Sequence, residues 1–517
     1  MNLPDFRNEP ASDFKNNPEH ARKMKEALKE VAKELGCSYD LVIGGERVST
    51  ADKLVSHNPG RKNQVVGKFS KATAELADRA IEAGEKAFRA WSRAPVDERA
   101  TLLTETARYI RDRKYHYAAW MVYEVGKTWP EADADVAEAI DFAEFYAREM
   151  LRLAKPRPLV PVPGEKNYLQ YIPLGVGVVI PPWNFPLAIA TGMTLASVVT
   201  GNTAVLKPSS DSPMMAYKLF EALEHSGLPP GVVNFLTGPG SAVGDRLVTH
   251  PRTRFIAFTG SKDVGLRINE LASRRAPGQV WVKRTVLEMG GKDSIVIDSE
   301  TDLDLAVEGV VASAFGFQGQ KCSACSRAIV VDTVYDAFLG KLKERVEKIK
   351  VGAAEDPESE MGPVINAGAK KSILQYIELG EKEGRLLSGG GEASGSGHYL
   401  EPTVIADVPP KARVAQEEIF GPVLAVIRAP NFDEALEIAN NTEYGLTGAV
   451  YTKNRRKLEK ATEEFHTGNL YFNRKCTGAL VGGHPFGGFN MSGTDSKAGG
   501  FDYLLLFTQA KTIAEKI

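Results

Sequence analysis

The sequence predicts an α/β protein with two parallel-sheet domains and a small β arm. Two observations carry this. From residue 175 onward, short apolar runs alternate with helix-length amphipathic stretches, the pattern of βαβ units. The alternation restarts near Ser294, and 517 residues exceed what a single core accommodates.

Ahead of that alternation the chain reads as helical. Met24, Leu28, Val31, Ala32 and Leu35 recur at helical spacing among Lys and Glu over 19–36. Long helices are expected over 72–93, 97–125 and 133–153, the last with Val136, Ile140, Phe142 and Phe145 on its apolar face. Leu159 to Tyr171 is Pro-rich and extended. Gly175 to Ile180 is a continuous apolar run, as expected of a strand buried on both faces. A helix over 186–199 follows and closes at Gly201-Asn202, a good C-cap pair. Strand 203–206, helix 212–226, strand 232–236, helix 241–249 and strand 254–258 continue the pattern. The second domain opens with strand 294–298, helix 302–317, strand 327–331 and helix 333–348. Gly389-Gly390-Gly391 and Gly395-Ser396-Gly397 mark a surface turn region inside it. The tail Tyr503 to Thr508 is apolar and strand-like. Exposed apolar strands find partners, so a sheet shared between subunits is the preferred expectation, with packing inside its own chain as the alternative.

Composition excludes several classes. Lys+Arg 64 against Asp+Glu 66 leave a formal charge of −2, which argues against a nucleic-acid binder dominated by phosphate contacts. Four cysteines in so long a chain form no disulfide framework and fit a reducing compartment, so a cytoplasmic protein is expected. The start, Met1-Asn2-Leu3-Pro4-Asp5, lacks the basic and apolar regions of a secretory signal. Asn167 to Leu206 carries no charge, yet Pro173, Pro181, Pro182 and Pro186 interrupt it, so strands and a helix explain it better than a membrane span.

Cys322 and Glu288 are the candidate reactive pair. Cys322 sits in a loop between an apolar helix and a strand, and Lys321 beside it is expected to favour thiolate. Glu288 precedes Gly290-Gly291, glycines that leave room for a ligand, and burial would raise its pKa towards that of a base. Asn184, in the loop Pro181 to Pro186 after a buried strand, has a side-chain N–H suited to an oxyanion. Each residue taken alone reads as readily structural: an inert cysteine, a strand-end glutamate, an Asx turn. Cys325 completes Cys-x-x-Cys, but the other cysteines are isolated and the eight histidines form no ligand pair. It reads as a packing residue, and no metal is expected. Gly238 to Gly244 is one residue too long for G-x-G-x-x-G. Phe258-Thr259-Gly260-Ser261 and Lys207-Pro208-Ser209-Ser210 each end a strand and suit a pyrophosphate and a ribose.

Together these segments resemble the aldehyde dehydrogenase superfamily, along nearly the whole chain and in the family's order. Beyond the loops above, the matches include Glu288-Met289-Gly290-Gly291-Lys292, Gly319-Gln320-Lys321-Cys322, Glu418-Ile419-Phe420-Gly421-Pro422 and Pro485-Phe486-Gly487-Gly488. The resemblance implies a Rossmann-type cofactor domain (1–158 and 179–287), a parallel α/β catalytic domain (288–489) and an oligomerisation arm (159–178 and 490–517). It implies that Cys322 is the nucleophile, that Glu288 is the base, and that Asn184 with the Cys322 amide forms the oxyanion hole. Trp183, Lys207, Ser210, Gly240, Gly244, Ser261, Glu418 and Phe420 would hold the cofactor.

Phe317 to Ala324, Ala276 to Gln279, Asn473 to Ala479 and Ser492 to Gly500 are similar to the branch that oxidises L-glutamate γ-semialdehyde. That substrate carries an α-carboxylate. The Ser323 hydroxyl and the Gly478 and Ala479 amides are suited to it, Phe185 and Phe486 to its aliphatic chain, and Glu138 would also face the site. Another semialdehyde dehydrogenase, such as one acting on succinate semialdehyde, is the alternative within the class, and a catalytically dead relative the alternative outside it. After Lys207-Pro208-Ser209, many NAD-dependent relatives place a glutamate that repels a 2′-phosphate, whereas this chain has Ser210. The expected cofactor is therefore NAD with tolerance of NADP. The expected partners are a small aldehyde and further copies of the chain in a homodimer or larger assembly, with neither nucleic acid nor membrane.

Overall fold

The structure, a computed structural model, describes residues 3–155, 157 and 159–517. The first two residues of the start and the domain boundary at 158 lie outside them. The N-terminal helices form with clear terminal signals. Asn17 caps Pro18–Glu34, which carries proline in its first turn, and Thr73 caps Ala74–Trp91. The helix expected over 97–125 is two, Val96–Asp112 and Lys114–Val125, broken at Arg113 (φ −120°, ψ 24°). Gly126, at φ 69°, ends the second, and Trp129–Leu153 follows. A three-stranded sheet of Ser38–Tyr39, Val65–Ser70 and Lys53–His57 lies between the first two helices in sequence and was not foreseen.

The first seven-stranded sheet runs, in spatial order, Arg284–Glu288, Thr253–Thr259, Val176–Ile180, Thr203–Leu206, Val233–Phe235, Leu41–Ile43 and Glu46–Val48. Its first five strands are parallel. Successive strands from Val176 step one way, then Thr253–Thr259 returns to the other side of Val176–Ile180. The topological switch therefore falls between those two strands, where open α/β sheets bind ligands at the carboxyl ends. The second sheet runs Arg385–Ser388, Thr403–Ala406, Val423–Ala429, Cys325–Val331, Asp293–Ile297, Thr447–Tyr451 and Asn469–Phe472, parallel except at its first strand. Glu288 ends a strand of the first sheet, while Asp293 and Cys325 begin paired strands of the second. The carboxyl edge of one sheet thus meets the amino edge of the other.

Three expectations need correction. Val176–Ile180 belongs wholly to the first sheet, so the arm contributes Glu165–Pro173 and does not extend to 178. The tail does not form a strand at Tyr503–Phe507; it is a 3₁₀ turn buried in its own chain, with Tyr503 stacked on Tyr146 at 5.5 Å. Only Thr508–Lys516 is a strand, and it pairs antiparallel with Glu165–Pro173 of the same chain. The apolar run at 503–507 is explained by core packing, because Leu504 and Phe507 are fully buried. The helix expected over 241–249 begins with a π turn at Gly240–Gly244 before Asp245–Thr249. Among the described residues no helix is long and apolar enough to cross a membrane.

Candidate active site

Cys322 occupies a loop whose shape is imposed from several sides. Phe317 and Gln318 before it adopt left-handed φ values of 49° and 58°, which non-glycine residues avoid unless their surroundings enforce them. Gln318 is locked by donating to Pro363 O at 2.7 Å and accepting from Gly362 N at 3.0 Å. Phe317 is fully buried, with the Lys127 ammonium 4.7 Å from its ring centroid. Asn184 Nδ2 donates to the Gln320 carbonyl at 3.0 Å, which fixes that buried amide beside the Cys322 loop. The Cys322 amide itself donates to no protein acceptor among the described residues.

Cys322 borders two spaces. One is a narrow cavity of about 110 Å³ that also has Glu138, Phe185, Glu288, Ser323, Gly478, Ala479 and Phe486 in its wall. All six residues expected at the substrate therefore meet there with Cys322 and Glu288. The remaining lining is chiefly apolar, from Phe142, Tyr146, Ile189, Met193 and Tyr503, which the sequence reading did not select. They come from two helices and the 3₁₀ tail, and look like ordinary core positions until the tertiary fold opens a cavity beside them.

The other space is a cleft of about 570 Å³ at the topological switch. Trp183, Asn184, Lys207, Ser210, Gly240, Ser261, Glu418 and Phe420 line it. Gly244 does not; it lies behind Lys207, where an added Cβ would be 3.8 Å from Lys207 Cε. Asp211, which the sequence reading passed over, also lines the cleft and accepts from Asn366 Nδ2 at 3.0 Å. Trp183 and Phe420 meet edge to face at 5.5 Å. Gly290 and Gly291 are required by close approach, since a Cβ there would collide with the Glu418 carboxylate and with the Cys322 carbonyl.

Burial sets the electrostatics. It pushes Glu288 up to about 8, against donation from Ser496 Oγ at 2.5 Å and Gly488 N at 3.3 Å. It pushes Glu138 to about 8 as well, with help from the Asp135 charge. The Cys322 thiol is raised well above its usual range, first by burial and then by Asp293, Glu288 and Glu418. The expected help from Lys321 is not there: its ammonium pairs with Glu131 at 2.7 Å. A raised thiol next to a raised carboxyl favours both groups neutral, so proton removal by a base is part of any chemistry at Cys322. In the cleft, burial lowers Lys207 to about 8, and its one protein acceptor is the Pro208 carbonyl at 3.3 Å. Glu418 is raised to about 7 by burial, with Gly291 N donating at 3.0 Å.

Cys325 is buried in the core of the second sheet, its thiol 3.5 Å from the Arg327 carbonyl. All four cysteines are free. Among the described residues no group of three or more His, Cys, Asp or Glu is arranged to hold a metal ion.

The aldehyde dehydrogenase family model matches residues 47–513. A 1-pyrroline-5-carboxylate dehydrogenase of Geobacillus sp. (strain WCH70) is 59% identical over 511 residues, covering 99% of each chain. The enzyme of that name from Geobacillus kaustophilus (strain HTA426) is 58% identical over 510 residues, again with 99% of each covered. A crystal structure of 1-pyrroline-5-carboxylate dehydrogenase from Thermus with bound NAD superposes with a TM-score of 0.98, at 53% identity and full coverage of both chains. With the family model matched over most of its length and relatives of more than half identity matched end to end, the chain belongs to the aldehyde dehydrogenase family.

Proposed function

We propose that the protein oxidises L-glutamate γ-semialdehyde to L-glutamate with NAD, through a thioester on Cys322, as a step in proline breakdown. The observation that carries the reading is the position of Cys322 in the wall of both spaces. An aldehyde in the cavity and a nicotinamide in the cleft would meet at its sulfur. The high identity to relatives named 1-pyrroline-5-carboxylate dehydrogenase supports the substrate. The cavity supports it too, for the Ser323 hydroxyl and the Gly478 and Ala479 amides form no hydrogen bond to protein among the described residues. Three free donors, in a wall whose other polar groups include Thr259, Cys322 and the carboxyls of Glu138 and Glu288, suit a carboxylate.

A dinucleotide fits the cleft on its donor set. Lys207 is buried and Glu418 half-buried, each with few protein partners, and both face the same space, as ribose hydroxyls would require. Ser261 precedes helix Lys262–Ser273 without capping it by its side chain, which leaves amide N–H groups for a pyrophosphate. Trp183 and Phe420 line the same cleft as Cys322 and pack against each other. When bound, the nicotinamide supplies the hydride acceptor that lets a thiohemiacetal become a thioester.

The chain's own residues do the rest. The five-membered imine opens by adding water, and the aldehyde enters the cavity with its carboxylate towards Ser323, Gly478 and Ala479. The Cys322 thiol gives its proton to solvent water, and the sulfur bonds to the carbonyl carbon while the C=O π pair moves onto the oxygen. The free Cys322 amide and the Asn184 Nδ2 stabilise the resulting oxyanion. Glu288, as carboxylate, then takes a proton from water, and the hydroxide attacks the thioester carbon and expels the Cys322 thiolate. Phe185 and Phe486 exclude bulk water around the aliphatic chain.

The enzyme is further proposed to work in the cytoplasm, supported by four free cysteines, and as a homodimer or larger assembly. Exposed apolar residues near the arm, Val160 and Val162 among them, support a covered surface there. The activity is tested by following NADH at 340 nm with glutamate and succinate semialdehydes side by side. Faster turnover of the succinate compound would replace the substrate in this reading; no turnover of either would point to the inactive relative.

A further inference from the structure

Residues 475–479 carry two cavity-wall positions, Gly478 and Ala479, without any regular ladder to hold their peptides. One side chain organises them. Arg474 Nη2 donates to the Thr477 carbonyl at 2.9 Å and to the Gly478 carbonyl at 3.1 Å, and its Nε to the Lys475 carbonyl at 3.2 Å. The guanidinium is itself fixed 4.4 Å over the Tyr471 ring, a cation–π contact. Gly478 takes φ 77°, the left-handed value that lets consecutive peptides face the same way.

A trans peptide points its C=O and N–H in opposite directions. Holding the Thr477 carbonyl therefore turns the Gly478 N–H away from the guanidinium, and holding the Gly478 carbonyl does the same for the Ala479 N–H. Neither amide has a protein acceptor among the described residues, and both residues line the cavity. The geometry points to Arg474 as a positioning residue for substrate specificity: it reaches no substrate atom, but holds two backbone donors towards the substrate's carboxylate. The planar fork matters, because three carbonyls are gripped by one rigid group, which a lysine ammonium cannot reproduce. This rests on the glutamate semialdehyde reading, and wild-type turnover of that aldehyde tests that reading separately, whatever an Arg474 variant does.

The test compares an aldehyde bearing the α-carboxylate with a neutral one, butanal, in Arg474→Gln and Arg474→Lys. Loss of aligned charge-assisted donors predicts a KM for glutamate semialdehyde raised about tenfold or more in Arg474→Gln, with kcat and the KM for NAD near wild type. The KM for butanal should not move. Product inhibition by L-glutamate should weaken by a similar factor. Arg474→Lys keeps the charge but not the fork, so its KM should still rise several-fold. Wild-type KM in Arg474→Lys would mean that charge alone suffices and would overturn the proposal. An equal rise for both aldehydes would overturn it as well, as the mark of general loosening. Should Arg474→Gln not fold, the Arg474→Lys comparison decides by the same two readouts.

Discussion

The Ser496 hydroxyl donates to Glu288 Oε1 at 2.5 Å, so the proposed base is held by a residue 208 positions further along the chain. The same C-terminal segment pairs with the strand carrying Glu288 through the Glu288–Gly493 bridge, and Thr494 Oγ1 accepts from Leu287 N at 3.0 Å. The base is thus fixed against a segment from beyond the second sheet. Its pKa of about 8 has burial as the main cause, and the Ser496 bond works the other way by favouring the charged form.

That balance sets the pH dependence. Thioester hydrolysis needs Glu288 ionised, so kcat should climb with pH through about 8 if deacylation limits turnover. Removing the Ser496 donor raises the pKa further, so Ser496→Ala should move this limb to higher pH with little change in its plateau. Glu288→Gln should stop after one turnover, visible as an NADH burst followed by a slow rate. A limb that stays in place in Ser496→Ala would detach it from Glu288.

Asn184→Ala removes one of two proposed oxyanion donors and also the bond to the Gln320 carbonyl. Loss of one such donor costs about 10²–10³ in kcat in comparable acyl-transfer sites. The expected result is a kcat lower by that factor with a smaller change in KM. Asn184→Asp would place a carboxylate where negative charge develops and should be worse than alanine.

Cofactor choice should respond to position 210. Ser210 is exposed at the rim of the cleft and brings no charge, whereas its neighbour Asp211 brings one that Asn366 holds. Turnover with NADP is therefore expected in the wild type, below that with NAD. Ser210→Glu should raise the KM for NADP strongly and leave NAD nearly untouched, since only NADP carries the 2′-phosphate. Asp211→Asn should shift the ratio the other way. Steady-state kinetics with both cofactors measures each change.

Much of this was legible because both sheets are parallel and buried. Val176–Ile180 is apolar throughout and Thr203–Leu206 apolar after its first residue, and the loops after them announce themselves by Pro, Asn and Ser. The loop of Cys322 stood out by its residue types, and the structure brings Glu138, Phe185, Ser323, Gly478, Ala479 and Phe486 together around one cavity with it. What stayed hidden depends on tertiary contacts. Nothing local to Lys321 tells that Glu131, 190 positions away, takes its charge. Tyr503–Phe507 has the composition of a strand, and only its burial against Tyr146 and Phe255 makes it a turn. Arg474 lies in the segment Asn473 to Ala479 that the sequence marks as a whole, and only the fold shows its three carbonyl acceptors.

Lys127 and Asp135 form a fully buried ion pair at 2.7 Å beneath the site, and neither was singled out from the sequence. Asp135 Oδ1 also accepts from Ala188 N at 2.7 Å, at the start of the helix that follows Asn184 and Phe185. The Lys127 ammonium lies 3.9 Å from the Phe185 ring centroid. Removing one partner leaves an uncompensated buried charge, which costs about 3–5 kcal/mol. Lys127→Met should therefore destabilise the enzyme by about that much in urea unfolding and raise the KM for the aldehyde as Phe185 loses its neighbour. Lys127→Met combined with Asp135→Asn keeps an acceptor for the Ala188 amide and leaves no charge behind. The double variant should regain most of the stability but not the KM, because Phe185 still lacks its cation. If the double variant is no more stable than Lys127→Met, the pair is not the source of the loss.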